Sequence, residues 1–123
     1  MKTFSIEGGE TSPTVHIDES KSVVEISGNS TLKETSWFYS NLLKWILAFN
    51  LGNRKTEVIN IKLRRINDSS SKWILLILRK LASLIPASEF EINWYIIGNS
   101  NRVLLSGQRL RSQSGCKVNL VSE

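Results

Sequence analysis

The stretch EVINIKLRRINDSSSKWILLILRKLASL, Glu57 to Leu84, carries two periodicities joined by a polar hinge. From Glu57 to Leu63, the residues Glu57, Ile59, Ile61 and Leu63 alternate with Val58, Asn60 and Lys62, the period of a strand with one buried face. Beyond the hinge, Ile74, Ile77, Leu78, Leu81 and Ile85 recur at helical spacing and predict a helix running to about Leu84, stopped ahead of Pro86. Between the two, Ile66-Asn67-Asp68-Ser69-Ser70-Ser71-Lys72 breaks the strand and opens the helix. Asp68, Ser69 and Ser70 each qualify as its N-cap, because each side-chain oxygen can accept from amides two or three residues on.

Upstream, Thr3 to Glu7, Thr14 to Asp18 and Val23 to Ser27 read as short strands separated by Gly8-Gly9, Ser12-Pro13 and the tight Glu19-Ser20-Lys21 connection, an antiparallel meander. The period then changes. Phe38, Leu42, Trp45, Ile46 and Phe49 form one apolar stripe on a helix from Glu34 to Phe49, with Gly52 suited to a left-handed cap after it. Downstream come a strand from Phe90 to Ile96, a polar turn Gly98-Asn99-Ser100-Asn101, a short helix from Arg102 to Leu110 and a last strand from Lys117 to Val121. Strands in a run, followed by strands alternating with helices, predict one mixed β-sheet with helices packed on it, an α/β fold.

The 123 residues suffice for one hydrophobic core, so residues 1–123 are expected to form one domain. The longest apolar run, Trp73 to Leu78, ends at Arg79-Lys80, far short of the roughly 18 residues a membrane span needs. The opening MKTFSIEGGE lacks the apolar stretch of a signal peptide, and Cys116 is the one cysteine. A reducing, cytoplasmic setting is therefore expected, with no intramolecular disulfide and no zinc site of cysteines and histidines. The net charge of +5 raises nucleic acid or another anionic partner as an alternative, carried by Arg64, Arg65, Arg79 and Lys80. The basic residues come as separated pairs, including Arg54-Lys55, and as the spread Arg102, Arg109 and Arg111, and so nucleic acid is not the expected ligand.

Catalytic patterns are missing. Gly8-Gly9 lacks the GK[ST] of a phosphate loop, the acids are scattered singly, and His16 has no nucleophile motif beside it and reads as a strand residue. Neither catalytic residues, metal ligands nor a cofactor can be named, and the chain is expected not to be an enzyme. The unusual feature is the hydroxyl-rich hinge, Asn67, Asp68, Ser69, Ser70 and Lys72, beside a helix on which Trp73, Leu76 and Lys80 point partly away from the core stripe. With Arg65 they make a candidate partner-binding surface, since tryptophan buries much area and anchors interfaces. A phosphoryl group on Ser69 or Ser70 would sit among the free amides of a helix N-terminus, and the hinge could thus act as a switch.

The hinge resembles the N-T-S-S-x-K segment of the SiaC family of bacterial regulatory phosphoproteins. Phe4-Ser5-Ile6-Glu7-Gly8 with Thr11-Ser12-Pro13 and Val15 resembles that family's start, Gly28-Asn29-Ser30 with Phe38-Tyr39 and Trp45 its first helix region, and Asn93-Trp94-Tyr95 its N-W-Y strand. The resemblance covers nearly the whole chain. It implies a fold similar to the STAS domains of anti-sigma factor antagonists. It further implies a cytoplasmic adaptor in c-di-GMP and biofilm signalling that binds a diguanylate cyclase or a related signalling protein. A dedicated kinase and a PP2C-like phosphatase are implied as further partners. The threonine that the family phosphorylates corresponds to Asp68, whose carboxylate resembles half of a phosphate. The P-E-N-S run before the first helix corresponds to Leu32-Lys33-Glu34-Thr35. An aromatic position before the hinge is Arg65, and acidic positions after N-W-Y are Ile97, Asn99, Gln108 and Arg109. These departures alter the charge of the partner surface and leave the fold intact, as in a divergent member.

Overall fold

The computed structural model describes residues 3–18, 20–50, 57–86, 89–98 and 100–123. In chain order the elements are β1 (Thr3–Ile6), β2 (Thr14–Asp18), β3 (Val23–Ser30), α1 (Thr35–Asn50), β4 (Glu57–Ile66), α2 (Asp68–Leu84), β5 (Phe90–Ile96), α3 (Asn101–Gln113) and β6 (Val118–Ser122). Gly52, Arg54-Lys55, Glu19 and Asn99, all used in the sequence reading, lie outside the described residues.

The strands form one six-stranded sheet in the order β1-β2-β3-β4-β5-β6. The β1-β2 and β2-β3 pairs are antiparallel, as short turns require; β3-β4, β4-β5 and β5-β6 are parallel, each joined by one helix. Every crossover steps one strand in the same direction, so right-handed connections place all three helices on one face. Accordingly α1 packs beside α2, and α2 beside α3. Ile26 of β3, Ile59 and Ile61 of β4, Leu42 and Ile46 of α1, and Ile74, Ile77 and Leu78 of α2 meet around one small apolar space at the centre of the core.

The opposite sheet face is polar. Parallel sheets are usually covered on both faces, but here side chains cross-link the uncovered one. Asn119 Nδ2 donates to Asn93 Oδ1 at 3.0 Å and Asn93 Nδ2 to Asn60 Oδ1 at 2.9 Å, while Lys62 Nζ lies 3.2 Å from a Glu25 carboxylate oxygen and 4.9 Å from the Tyr95 ring centroid. The N-W-Y strand thereby splits its duties, with Asn93 and Tyr95 on the polar face and Trp94 wholly in the core.

Several boundaries differ from the sequence reading. The helix expected from Arg102 to Leu110 spans Asn101–Gln113. Gly107 inside it lowers helix propensity, but the absent Cβ is what lets α3 approach the sheet: a Cβ there would lie 2.5 Å from Trp94 Cδ1. The last strand begins at Val118 and not at Lys117. β3 and β4 both outrun the reading, to Ser30 and Ile66, because they pair with each other to the end. Their register slips between Gly28 and Asn29, where Gly28 opposes Leu63 and Asn29 opposes Arg65, so Arg64 is the extra residue of a β-bulge. Gly28 takes a φ of 97° there, a conformation that favours glycine. His16 is an exposed strand residue whose Nδ1 lies 2.7 Å from Ser5 Oγ.

Candidate functional site

All three helices begin at the edge where the parallel strands end, the edge at which open α/β sheets place their binding crevices. The hinge after β4 lies there. Its first residue, Asn67, is the N-cap of α2, correcting the assignment to Asp68, Ser69 or Ser70: the Asn67 side-chain oxygen accepts from Ser70 N–H at 2.8 Å. Its amide nitrogen donates to the Leu32 carbonyl at 2.8 Å, and its backbone N–H to the Ser30 carbonyl at 2.9 Å. An ionised aspartate could cap the helix but has no proton to give, whereas asparagine accepts with its oxygen and donates with its amide nitrogen at the same time.

The serines that follow divide by direction. Ser70 is fully buried and accepts from Ser30 Oγ at 2.7 Å, and Ser30 is in turn bonded to the Tyr39 hydroxyl, a hydroxyl chain linking β3, α1 and α2. Burial is the main cause that pushes the Tyr39 phenol above its ordinary pKa, so the chain stays neutral. Ser71 donates to Ser106 of α3 at 3.2 Å and fixes the two helices together. Ser69 is exposed, its Oγ 2.6 Å from the Oγ1 of buried Thr35 at the start of α1. Of the two serines first considered as phosphoacceptors, Ser69 is at the surface and Ser70 is inside.

Asp68 occupies the first turn of α2, where a negative charge is favoured by the helix dipole, and its carboxylate meets Arg102 of α3 at 2.9 Å. Both side chains are well exposed, so the pair contributes no more than about 1 kcal/mol. Lys72, Lys80 and Arg65 are exposed. Leu76 is 53% exposed, while Trp73 is half-buried and packs against the core, a mixed environment in place of a bare anchor. Ser69, Trp73, Leu76 and Lys80 fall at i, i+4, i+7 and i+11, one flank of α2, whereas Asp68 and Ser71 make their contacts with α3 on the other flank.

Arg65 belongs to neither flank. The bulge leaves Arg64 and Arg65 both exposed at the end of β4, where they line an open cleft of about 480 Å³ with Thr31, Ile66, Asn67, Ser100 and Arg102. Arg79, grouped in the sequence with Arg64 and Arg65, lies some three turns further along α2, on the order of 17 Å away, where its Nε donates to the Gln113 carbonyl at 3.0 Å. The four cations Arg64, Arg65, Arg79 and Lys80 therefore do not form one patch.

Sequence reasoning missed Trp37, 70% exposed in the first turn of α1, and the roles of Thr35, Ser30 and Arg102. The last three act through contacts some thirty to forty residues apart in sequence, which local patterns do not record. Among the described residues no group of three or more His, Cys, Asp or Glu side chains is gathered, and the hinge hydroxyls of Ser69, Ser70 and Ser71 bond to the hydroxyls of Thr35, Ser30 and Ser106 and not to a base. No helix among the described residues is long and apolar enough to cross a membrane.

A mixed sheet with its helices on one face and an exposed acid-and-hydroxyl loop at the head of the central helix defines the class as α/β. The profile of the SiaC family of regulatory phosphoproteins matches residues 6–123, and the chain belongs to that family. The solved structure of SiaC of Pseudomonas aeruginosa aligns with a TM-score of 0.85 at 17% identity, over 100% of both chains. The crystal structure of apo-SiaC from the same organism aligns at a TM-score of 0.76 and 17% identity, over 100% of this chain and 99% of that one. A chain in the crystal structure of the P. aeruginosa diguanylate cyclase SiaD in complex with its activator SiaC aligns at 0.84 and 16%, over 98% of this chain and 99% of that one. At such identities these likenesses concern the fold. No curated protein matches the sequence.

Proposed function

We infer that residues 1–123 act as one regulatory adaptor that binds a diguanylate cyclase or a related signalling protein and changes its activity, without catalysing a reaction itself. The observation that carries this reading is the family match over residues 6–123, combined with a fold shared with a SiaC that is the activator of a cyclase. The contact region is the head of α2: Asn67, Asp68, Ser69 and Lys72, continued by Trp73, Leu76 and Lys80 along one flank and bordered by Arg65. Ser70 belongs to the same loop and supports it from within, since its hydroxyl is fully buried.

Asp68 stands where the family resemblance puts the phosphorylated threonine. It carries one permanent negative charge, against about −1.5 to −2 for a phosphate group at neutral pH, and is thus a partial mimic. Ser69 is the hydroxyl of this loop open to a kinase, and a PP2C-like phosphatase would reverse its modification. The lone Cys116, buried among apolar residues, supports a reducing cytoplasmic setting. The test is to mix the purified chain with the diguanylate cyclase encoded in the same genome and to measure complex formation and c-di-GMP synthesis together. A stoichiometric complex with altered synthesis is expected. A chain that neither binds the cyclase nor changes its rate overturns the reading.

A further inference from the structure

Two clefts open at the edge where the parallel strands end, and they share Arg102. The first is the 480 Å³ cleft of Arg64, Arg65 and Asn67. The second, about 450 Å³, lies between α2 and α3 and is lined by Asp68, Ser71, Asn101, Leu105, Ser106 and Arg109 as well as Arg102. Together they make a groove whose charged lining is four arginines and one carboxylate, and that carboxylate is already paired with Arg102. The fold builds this groove in three ways. The bulge at Arg64 turns two successive side chains outward. β4 pairs with β5 only as far as Ile61, so its end from Lys62 to Ile66 runs past β5 without a strand partner on that side. On α3, Arg102, Leu105, Ser106 and Arg109 recur at i, i+3, i+4 and i+7 and share one face.

We propose that this groove binds an acidic segment of the partner protein, with its carboxylates on Arg64, Arg65, Arg102 and Arg109 and an apolar side chain on Leu105. Guanidinium groups match carboxylates in two-pronged pairs, and Leu105 is 62% exposed amid the cations. The lining holds no aromatic side chain. Groups that bind single-stranded nucleic acid stack bases on aromatic rings, so an acidic peptide fits the chemistry better than a nucleic acid. Asp68 acts here as an internal competitor for Arg102: an incoming carboxylate displaces it, and the weak exposed pair offers little resistance. The proposal deepens the adaptor reading by naming the chemistry of the partner segment, and it is tested separately from cyclase binding.

The probe is a short fluorescein-labelled peptide of repeated Asp-Glu-Glu-Leu blocks, followed by fluorescence anisotropy on the full chain. Saturable binding that weakens as salt is raised is expected. Arg65→Glu with Arg102→Glu should weaken it by at least about tenfold, and Asp68→Asn should tighten it. Lys44→Glu with Lys117→Glu, an equal change of charge outside the groove, should leave it within about twofold. Replacing the peptide leucines by serine should weaken it several-fold. Circular dichroism of each variant confirms folding. Equal loss with the Lys44/Lys117 variant, no binding at all, or tighter binding of single-stranded RNA or a cyclic dinucleotide through the same arginines overturns the proposal. If the groove takes the peptide but the cyclase does not bind, the adaptor reading fails alone; if the cyclase binds and the groove variants bind it unchanged, the groove fails alone.

Discussion

Replacing Asn67 by alanine removes two hydrogen bonds at once, and their sum can be worked out. The cap to Ser70 N–H, 2.8 Å long, is worth about 1 kcal/mol, the typical cost of losing an asparagine N-cap. The half-buried bond from Asn67 Nδ2 to the Leu32 carbonyl, also 2.8 Å, adds about 1 kcal/mol. A loss of about 2 kcal/mol in a chain of this size lowers the thermal midpoint by about 8 °C. Asn67→Asp separates the terms, because a carboxylate still caps and suits the helix dipole but cannot donate to Leu32. It should lose only about half as much. Thermal and urea melts followed by circular dichroism measure both variants. An Asn67→Ala change below about 0.5 kcal/mol, or an Asn67→Asp loss equal to that of alanine, would refute the assignment of Asn67 as the joint between α2 and the segment leading into α1.

Gly107→Ala should destabilise the protein by about 2 kcal/mol although alanine favours a helix by up to about 1, because the new Cβ would lie 2.5 and 2.7 Å from Cδ1 and Nε1 of a Trp94 indole that is tied to the same helix by Nε1–H donating to the Val103 carbonyl; denaturant melts decide the sign. Ser70→Ala should lose about 1–2 kcal/mol by leaving the Ser30 hydroxyl without its acceptor, whereas Ser69→Ala should stay within about 0.5. Exposed to a kinase that modifies this loop, the chain should take phosphate on Ser69 and none on Ser70, as peptide mass spectrometry will read. Burial pushes the Glu57 carboxyl from 4.5 up to about 7, so between those pH values the folded chain keeps a proton that the unfolded chain has lost. Stability should therefore fall as pH rises through this window and level off above it, by about 1–2 kcal/mol after allowance for solvent screening. Glu57→Gln should flatten that slope, and an unchanged slope would assign it to another group.

The sheet and two of the three helices were legible because their patterns are local. The alternation from Glu57 to Leu63 and the stripe Ile74, Ile77, Leu78, Leu81 and Ile85 each state which face is buried; Ile59, Ile61, Leu63 and the first four stripe residues are in the core, while Ile85, the C-cap of α2, is partly buried against it. The third helix was underestimated because Gly107 and its polar neighbours weaken local propensity, while the close approach to Trp94 that decides the matter is a tertiary fact. The same distinction governs the site. The hinge announced itself as a run of capping residues, but which of them caps depended on a carbonyl at Leu32, and which serine faces outward depended on Ser30 and Tyr39. Arg102 was visible only as a scattered cation; its helical spacing to Leu105 and Arg109 was the signal that could have placed all three on one face.

The most direct test of regulation through the head of α2 is a titration of the wild-type chain and its Asp68→Thr variant into the diguanylate cyclase of the same genome, with c-di-GMP formation and complex dissociation constants measured in parallel. The prediction is a saturable effect of the wild-type chain on the cyclase, with Asp68→Thr binding more tightly until kinase treatment adds a phosphoryl group and releases it. Absence of binding by both forms would contradict the adaptor role. Equal binding by both, unchanged by the kinase, would leave Asp68 as a first-turn acid that favours the helix dipole and nothing more.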